Sequence, residues 1–214
     1  MSFLISSKLA PAAEFASKDG HNPRYSLGGV KLSVVKDVTP GNPDKVIVES
    51  TDGKRMLRAS MPAEKVDDFP RIDGVNMDDK GETDCVIAAE DFKSIFTKLP
   101  KRNAKAILEN AIVSPTKETM KVNTASTDLQ TQNVKTLRQV EGMFPNFDDV
   151  YPTAKAKFTV NFGSKLLGDS LRTLERLGAE NVKFEFIDAT SPVRMTAEKD
   201  GIKIQAVIMP MNGG

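Results

Sequence analysis

The sequence predicts an α+β fold made of three repeats of one unit, in which a short strand and an amphipathic helix precede a run of strands. Short segments rich in apolar residues are separated by polar turns, and three longer segments carry apolar residues at helical spacing. The chain has 214 residues, of which 28% are charged and 39% hydrophobic, so it is long enough for one or two globular domains with a core.

The first unit covers residues 1–62. A strand at 3–5 leads into a predicted helix at 7–18, where Ser6 or Ser7 is a suitable N-cap and Pro11 falls in the first turn. Further strands are predicted at 27–36, 45–50 and 54–61. Thr51-Asp52-Gly53 forms a tight hairpin turn between the last two strands.

The second unit covers residues 84–141 and follows an acidic linker at 63–83, which Pro70, Gly74 and Gly81 mark as a loop. Its first strand is predicted at 85–89, and its helix at 90–99 ends before Pro100. The remaining strands are predicted near 104–112, 118–124 and 133–140, with Ser114-Pro115-Thr116 as a turn.

The third unit covers residues 157–214 and follows an exposed connector at 142–156. A strand is predicted at 158–162, and a helix at 164–177 has Ser164 near its N-cap and Gly178 at C′. Leu167, Leu171 and Leu174 form the apolar stripe of this helix. The final strands are predicted at 182–187, 193–197 and 202–208, with a hairpin turn at 199–201.

Enzymatic chemistry has little support in the sequence. His21, the single histidine, lies in a polar loop, and one histidine with one cysteine, Cys85, excludes a zinc site built from these residue types. No glycine-rich segment matches a phosphate-binding loop, so we expect no cofactor. The single cysteine suits a reducing compartment, and no apolar stretch approaches the roughly 18 residues of a membrane span. The start of the chain lacks the features of a signal peptide, so the expected location is the cytoplasm.

Three segments, in this order, resemble those that form the peptide-binding pocket of the bacterial DNA polymerase III β subunit family, the DNA sliding clamps. They are residues 51–56 (TDGKRM), 142–152 (GMFPNFDDVYP) and 205–211 (QAVIMPM). The resemblance continues through the third unit. It implies a DNA clamp fold in which residues 1–152 form one clamp domain of two units and residues 157–214 form half of a second domain.

The resemblance implies a processivity factor, a non-catalytic accessory subunit that encircles duplex DNA and tethers a replicative polymerase. An alternative is an interaction protein that sequesters clamp-binding peptides without encircling DNA. A third, weaker interpretation is an enzyme of unrecognised type. Polymerase and clamp loader are expected to bind through a short peptide motif, and the expected site of action is the nucleoid or replication site.

The resemblance also assigns a partner-peptide pocket, with Lys54, Asp149 and Asn212-Gly213-Gly214 departing from the usual family pattern. On their own, the last residues of this set predict only a core strand. The pocket residues are Thr51, Gly53, Lys54, Arg55, Met56, Pro145, Val150, Val207, Met209, Pro210 and Met211.

Basic residues on or beside the three helices are, on pattern alone, solvated helix faces. The resemblance implies instead that they face duplex DNA and contact its phosphates without sequence preference. The expected DNA-facing residues are Lys8, Lys18, Arg24, Lys93, Lys98, Lys101, Arg102, Lys165, Arg172 and Arg176.

Self-assembly follows from a count of units. Rings of this family contain six domains, and hence twelve units, so a chain of three units reaches that number with four copies. A homotetramer is therefore favoured, with a trimer as the alternative if a unit has been missed. The expected contact is head-to-tail, with the third unit of one copy against the first unit of the next.

Overall fold

The computed structural model describes residues 2–18, 26–37, 39, 41–73, 75, 83–96, 99, 106–116, 120–199 and 201–211. Of the predicted functional residues, Arg24, Lys98, Lys101 and Arg102 lie outside these ranges, as do His21 and the final Asn212-Gly213-Gly214. The chain folds into two bodies, Met1–Tyr151 and Pro152–Gly214, called here the first and second body.

The first body is built mainly of strands. These are β1 (Phe3–Ser6), β2 (Gly29–Val35), β3 (Lys45–Thr51), β4 (Met56–Pro62), β5 (Asp84–Ala88), β6 (Asn110–Thr116), β7 (Lys121–Thr127) and β8 (Gln132–Arg138). Its helical elements are the 3₁₀ helices η1 (Ser7–Phe15), η2 (Val66–Asp68) and η3 (Ala106–Glu109) and the α-helices α1 (Ala89–Ile95) and α2 (Phe147–Val150).

Two antiparallel four-stranded sheets form the first body, in the orders β4-β3-β2-β5 and β1-β6-β7-β8. Each sheet contains three strands of its own unit and the first strand of the other unit. Phe3 of β1 lies opposite Val113 of β6, and Ala88 of β5 lies opposite Gly29 of β2. The two units of the first body therefore exchange their first strands.

One continuous core joins the two sheets to η1 and α1 of the first body. Alternate residues of each strand, such as Val46 and Val48 on β3 and Val122 on β7, turn into this core. The helices contribute Ala12, Ala13, Phe92 and Ile95, all of them buried. Each fully buried Val, Leu, Ile or Phe side chain contributes roughly 1.5–3 kcal/mol, so this core is the main stabilising element of the body.

The first predicted helix is a 3₁₀ helix and ends at Phe15 rather than continuing to residue 18. Ser6 is its N-cap, and its hydroxyl oxygen accepts a hydrogen bond from the Lys8 amide. Pro11 lies at the fifth position and lacks the N–H that an α-helix would bond to the Ser7 carbonyl, which disfavours the α form. The second helix forms where predicted, but it begins at Ala89 and ends at Ile95.

The strand predicted near 104–112 is displaced along the chain. Residues 106–109 form η3, and β6 runs from Asn110 to Thr116, so Pro115 lies inside a strand and not in the predicted turn. Pairing with β1 ends at Val113, so among the described residues only β7 neighbours the strand at Pro115, and the missing N–H is tolerated there.

The second body consists of α3 (Ser164–Arg176), β9 (Lys183–Glu185), β10 (Val193–Lys199) and β11 (Ile202–Ile208). The strands form an antiparallel sheet in the order β11-β10-β9. One face of α3 covers this sheet, and the core between them includes Leu174, Val193, Met195 and Ile208. The predicted α+β class is confirmed.

The ends of α3 follow the sequence signals closely. Gly178 has φ of +90° and donates its N–H to the Glu175 carbonyl, while the Ala179 N–H bonds to Leu174, as in a Schellman cap. The N-cap is Gly163, one residue before the predicted Ser164. The strand predicted at 158–162 is not formed, because this segment has no neighbouring strand among the described residues of the second body.

None of the helices in the described ranges has the length and apolar character that crossing a membrane would require.

Candidate functional site

The turn between β3 and β4 is held by its own side chains. The Thr51 hydroxyl accepts from the Gly53 amide (3.0 Å) and donates to the Arg55 carbonyl (2.7 Å). Asp52 accepts from the amides of Lys54 and Arg55, both at 3.0 Å, and these bonds lower the pKa of its carboxyl group. Gly53 has φ of +83°, a conformation that glycine adopts readily. The sequence Thr-Asp-Gly thus fixes the turn.

Arg55 connects this turn to η1. Its guanidinium lies 4.4 Å from the centre of the Phe15 ring and donates to the Glu14 carbonyl and to Asp52, each at 3.0 Å. These contacts place Arg55 beside the exposed Lys18 and Lys93, along a groove of about 820 Å³ between η1 and α1. The structure therefore brings together one predicted pocket residue and two predicted DNA-facing residues in the first body.

Arg58 on β4 holds helix α2 against the sheet of the first body. The guanidinium makes a two-pronged contact with Asp148, at 2.6 and 3.1 Å, and lies 4.3 Å from the centre of the Phe147 ring. The Arg58 contact lowers the pKa of the Asp148 carboxyl group. Of the two pocket residues predicted near this helix, Val150 is exposed and Pro145 is half-buried.

The end of β11 presents large apolar side chains to solvent. Val207, Met209 and Met211 are 62%, 58% and 57% exposed, while Ile208 between them is 2% exposed and belongs to the core. The core-strand interpretation of Val207, Met209 and Met211 is therefore wrong. Three large apolar side chains are therefore exposed within five residues of the chain.

Backbone contacts hold this exposed end in place within the second body. The Met211 N–H donates to the Asn161 carbonyl at 2.8 Å. A Cβ atom built on Gly163 would lie 3.1 Å from the Met211 sulfur, so a larger residue at 163 would crowd the methionine. Methionine side chains adapt their shape to different apolar ligands, which suits a peptide-binding surface.

Helix α3 separates basic and apolar residues. Lys165, Arg172 and Arg176, called here the basic stripe, are exposed, and Leu174 is buried while Leu167 and Leu171 are half-buried. Asp169 lies within the stripe and forms an ion pair with Arg172. In the first body, Lys8 is also exposed and lies 3.4 Å from Glu109. Two of the three cations in the stripe thus remain outside the described ion pairs.

Among the described ranges, no group of His, Cys, Asp and Glu side chains has the arrangement of a metal site. Cys85 is buried.

The predicted repeat of the first two units is also visible in matching residues. Residues 45–52 read KVIVESTD and residues 121–128 read KVNTASTD. Thr127 and Asp128 repeat the turn bonds of Thr51 and Asp52. The buried Ser50 and Ser126 both donate to a backbone carbonyl, of Ala12 and Ile95 respectively. The two segments therefore occupy equivalent positions in the two units.

No family model matches the sequence, and no curated protein does. Solved structures do match. A DNA polymerase III β chain from Streptococcus pneumoniae has a TM-score of 0.64 and 18% identity, over 99% of this chain and 50% of the other. The DNA polymerase III β subunit of Pseudomonas aeruginosa has a TM-score of 0.66 and 15% identity, over 100% of this chain and 52% of the other. The chain has the fold of the DNA polymerase III β chain.

A third similar structure is a Caulobacter crescentus β sliding clamp, with a TM-score of 0.65 and 16% identity, over 98% of this chain and 50% of that one. This chain therefore spans about half the length of the β chains that it matches. At these identities the likeness establishes the DNA clamp fold, in a shortened form of about one and a half clamp domains.

Proposed function

We propose that the chain is a DNA sliding clamp, a non-catalytic processivity factor that encircles duplex DNA and tethers a replicative polymerase. The observation that carries this proposal is the match of almost the whole chain to β-chain structures. In this proposal the first body corresponds to a clamp domain at residues 1–152 and the second to half a clamp domain at residues 157–214. The chain acts in the cytoplasm, at sites of DNA replication, and uses no cofactor.

Exposed cations on helices support a DNA-facing surface. The basic stripe on α3 and the exposed Lys8, Lys18 and Lys93 of the first body offer several cations for phosphate contacts. Such contacts are independent of base sequence and weaken as salt rises. A closed ring does not depend on their strength, because it leaves DNA only by opening or by sliding off an end.

Retention on circular DNA tests the ring. We expect the loaded protein to remain on a nicked circle and to be lost when a restriction enzyme linearises it. Equal loss from the two forms would contradict the proposal. Charge reversal of the stripe (Lys165→Glu, Arg172→Glu and Arg176→Glu together) should weaken binding to linear DNA at low salt, where phosphate contacts alone hold the protein. The matched control reverses three exposed strand cations instead (Lys121→Glu, Arg138→Glu and Lys203→Glu) and should bind linear DNA like the parent chain.

The partner-binding proposal concerns exposed apolar residues on each body. We propose that polymerase and clamp loader bind through a short peptide with hydrophobic anchors, which contacts Val207, Met209 and Met211 of the second body. The turn at residues 51–56 and the residues Pro145 and Val150 of the first body belong to the same proposal. Each anchor side chain that becomes fully buried contributes roughly 1.5–3 kcal/mol to binding.

A matched pair of variants on β11 and its extension tests this surface. Met209→Asp places a charge where the anchors bind and should abolish binding of a clamp-binding peptide. Ile202→Asp makes the same change at the other end of β11, where the side chain is 57% exposed against 58% for Met209, and should leave binding intact. Equal peptide affinity of the parent chain and Met209→Asp would show that the assignment is wrong.

Assembly distinguishes the clamp from a protein that only sequesters peptides. In the proposal four copies close one ring, so the native assembly should have about four times the 23.3 kDa mass of the chain. A chain that binds peptide but stays monomeric would favour sequestration instead.

A further inference from the structure

The two units of the first body complete each other by exchanging strands. The first strand of each unit, β1 or β5, pairs with β6 or β2 of the other unit. Each sheet of the first body therefore contains three strands of one unit and one strand of the other. A unit of this chain thus needs the first strand of a second unit to complete its four-stranded sheet.

The second body contains one unit without that exchange. Its sheet has the order β11-β10-β9, so the described part of the chain provides no strand beyond β9. The segment Phe158–Phe162 precedes α3 as β5 precedes α1, but it belongs to no strand. Both a vacant sheet edge and a segment suited to fill such an edge are thus present in the same body.

A backbone hydrogen bond supports the equivalence of Phe158–Phe162 and β5. Val86 lies three residues before the start of α1, and its carbonyl accepts the Val140 N–H at 2.8 Å. Asn161 lies three residues before the start of α3, and its carbonyl accepts the Met211 N–H at 2.8 Å. In each unit a residue two or three positions beyond the last strand therefore donates to the first segment, at the same distance before the helix.

Apolar surface is left uncovered in the second body where the first body covers it. Phe92, the fourth residue of α1, is fully buried, whereas Leu167, the fourth residue of α3, is half-buried and Leu166 is 53% exposed. Phe158 is 51% exposed, and its ring centre lies 6.2 Å from that of Phe186, which is also exposed. Helix α1 packs against η1 of the other unit, and α3 has no such partner helix among the described residues of its body.

We propose that two copies of the chain join through their second bodies by reciprocal strand exchange. Phe158–Phe162 of each copy pairs with β9 of the other, and the exposed leucines of the two α3 helices pack together. The occupant is a second copy because exchange between units is reciprocal in the first body, and two identical units satisfy that reciprocity with twofold symmetry. Pairing also removes an open sheet edge, which otherwise favours aggregation.

The charges of the two segments are compatible with this pairing. Residues 158–162 read FTVNF and carry no charged side chain. On β9, Lys183 and Glu185 already form an ion pair with each other at 3.0 Å. The exchange therefore buries no unpaired charge.

The inference rests on the self-assembly part of the proposed function but changes its contacts. Both sheets of the first body already hold an exchanged strand, so the exchange is incomplete only in the described part of the second body. Four copies joined in pairs would contain four complete first bodies and two completed second bodies. That total equals the six domains of the ring expected from the resemblance.

The test compares variants at equally exposed positions in the full chain. Leu166→Asp and, separately, Phe158→Asp place a charge in the proposed contact of both copies and should weaken pairing on the order of 100-fold or more. Ile202→Asp on β11 is the matched control and should pair like the parent chain. Sedimentation over a dilution series measures association, and circular dichroism verifies that each variant is folded, which exposed positions favour.

Hydrogen exchange of backbone amides gives a second test of the strand exchange in the parent chain. The amides of Phe158–Phe162 should be protected in the pair and lose protection on dilution or in Leu166→Asp. The inference is overturned if the parent chain is monomeric, if Leu166→Asp and Phe158→Asp pair normally, or if these amides exchange freely in the pair. Pairing without retention on circular DNA would refute the clamp function alone. Retention by a chain that pairs despite Leu166→Asp would refute only this inference.

Discussion

The outer faces of the two sheets in the first body carry different chemistry on the same backbone pattern. Corresponding residues form one row across each sheet. Across β5-β2-β3-β4 the row consists of Val86, Lys31, Glu49 and Arg58, called here the charged row. Across β1-β6-β7-β8 it consists of Leu4, Ile112, Ala125 and Val134, called here the apolar row.

The apolar row is covered by the linker that joins the two units. Phe69, Ile72 and Val75 are buried against it, each less than 9% exposed. Pro70, Gly74 and Gly81 predicted a plain loop in this acidic segment. The described part of the linker is irregular apart from η2, but its apolar side chains anchor it to the sheet.

The charged row is covered by α2 through polar contacts. Glu49 is 4% exposed and lies 2.8 Å from Arg58 and 3.9 Å from Lys31. Arg58 in turn binds Asp148 and stacks on Phe147. The contact between Arg58 and Asp148 lies nearer to solvent than those of the linker, so it contributes less to stability.

The comparison shows how a duplicated unit acquires two roles. β3 and β7 have the same alternation of buried and exposed residues, and the change from Glu49 to Ala125 accompanies the change of cover. The apolar cover consists of side chains buried in the core of the body. The polar cover carries Pro145 and Val150, two residues of the proposed peptide-binding set, and is held by a contact with the largely exposed Asp148.

Placing a carboxylate in the apolar row, at the position equivalent to Glu49, should change the free energy of unfolding most. Ala125→Glu would bury a carboxylate beneath the linker without a cation, at a cost of roughly 3–5 kcal/mol. Val134→Glu makes the same change in the same row at a side chain that is 43% exposed, and should cost less than about 1 kcal/mol. Urea denaturation followed by circular dichroism measures both. Equal costs would show that the linker does not seal the row.

Truncating one aromatic residue in each cover gives a smaller contrast. Phe69→Ala should destabilise the first body by about 3 kcal/mol, because it removes a buried ring and leaves a cavity. Phe147→Ala should cost about 1 kcal/mol, since the half-buried ring stacks only on Arg58 and Tyr151 among the described ring contacts. The same denaturation experiment compares them. A Phe147→Ala cost as large as that of Phe69→Ala would contradict the distinction between the two covers.

Local signals in the sequence predicted much of this architecture. The Thr51-Asp52-Gly53 turn, Gly178 at the end of α3 and the bounds of β11 depend on residues close together in the chain. Lys165, Arg172 and Arg176 lie opposite the buried leucine of α3, as helical spacing predicted.

Features that depend on distant partners were missed. Strand exchange between β1 and β6 joins segments more than a hundred residues apart, and no local pattern encodes it. The missing strand at 158–162 has the same cause, because a strand forms only beside a partner. Pro115 was predicted to lie in a turn because proline is rare inside paired strands. The sequence does not show that β6 pairs with β7 but not with β1 at this position, where proline is tolerated.

The smallest expected effect concerns the pH dependence of the polar cover. The contact with Arg58 holds the pKa of Asp148 below its ordinary value of 3.8, so the carboxylate stabilises the folded chain above that pH. This contribution should disappear as the pH falls through the lowered pKa. Asp148→Asn should therefore be less stable than the parent chain at neutral pH. The unfolding free energies of the two chains should converge as the pH falls below about 4.

The convergence should depend on Arg58. In an Arg58→Met background the cause of the lowered pKa is absent, so Asp148→Asn should have the same small effect at every pH. Midpoints of urea denaturation between neutral and acidic pH measure the four chains of this cycle, and circular dichroism reports unfolding because the chain has no tryptophan. A gap between the parent chain and Asp148→Asn that stays constant with pH would show that the Arg58 contact does not hold α2 on the sheet in solution.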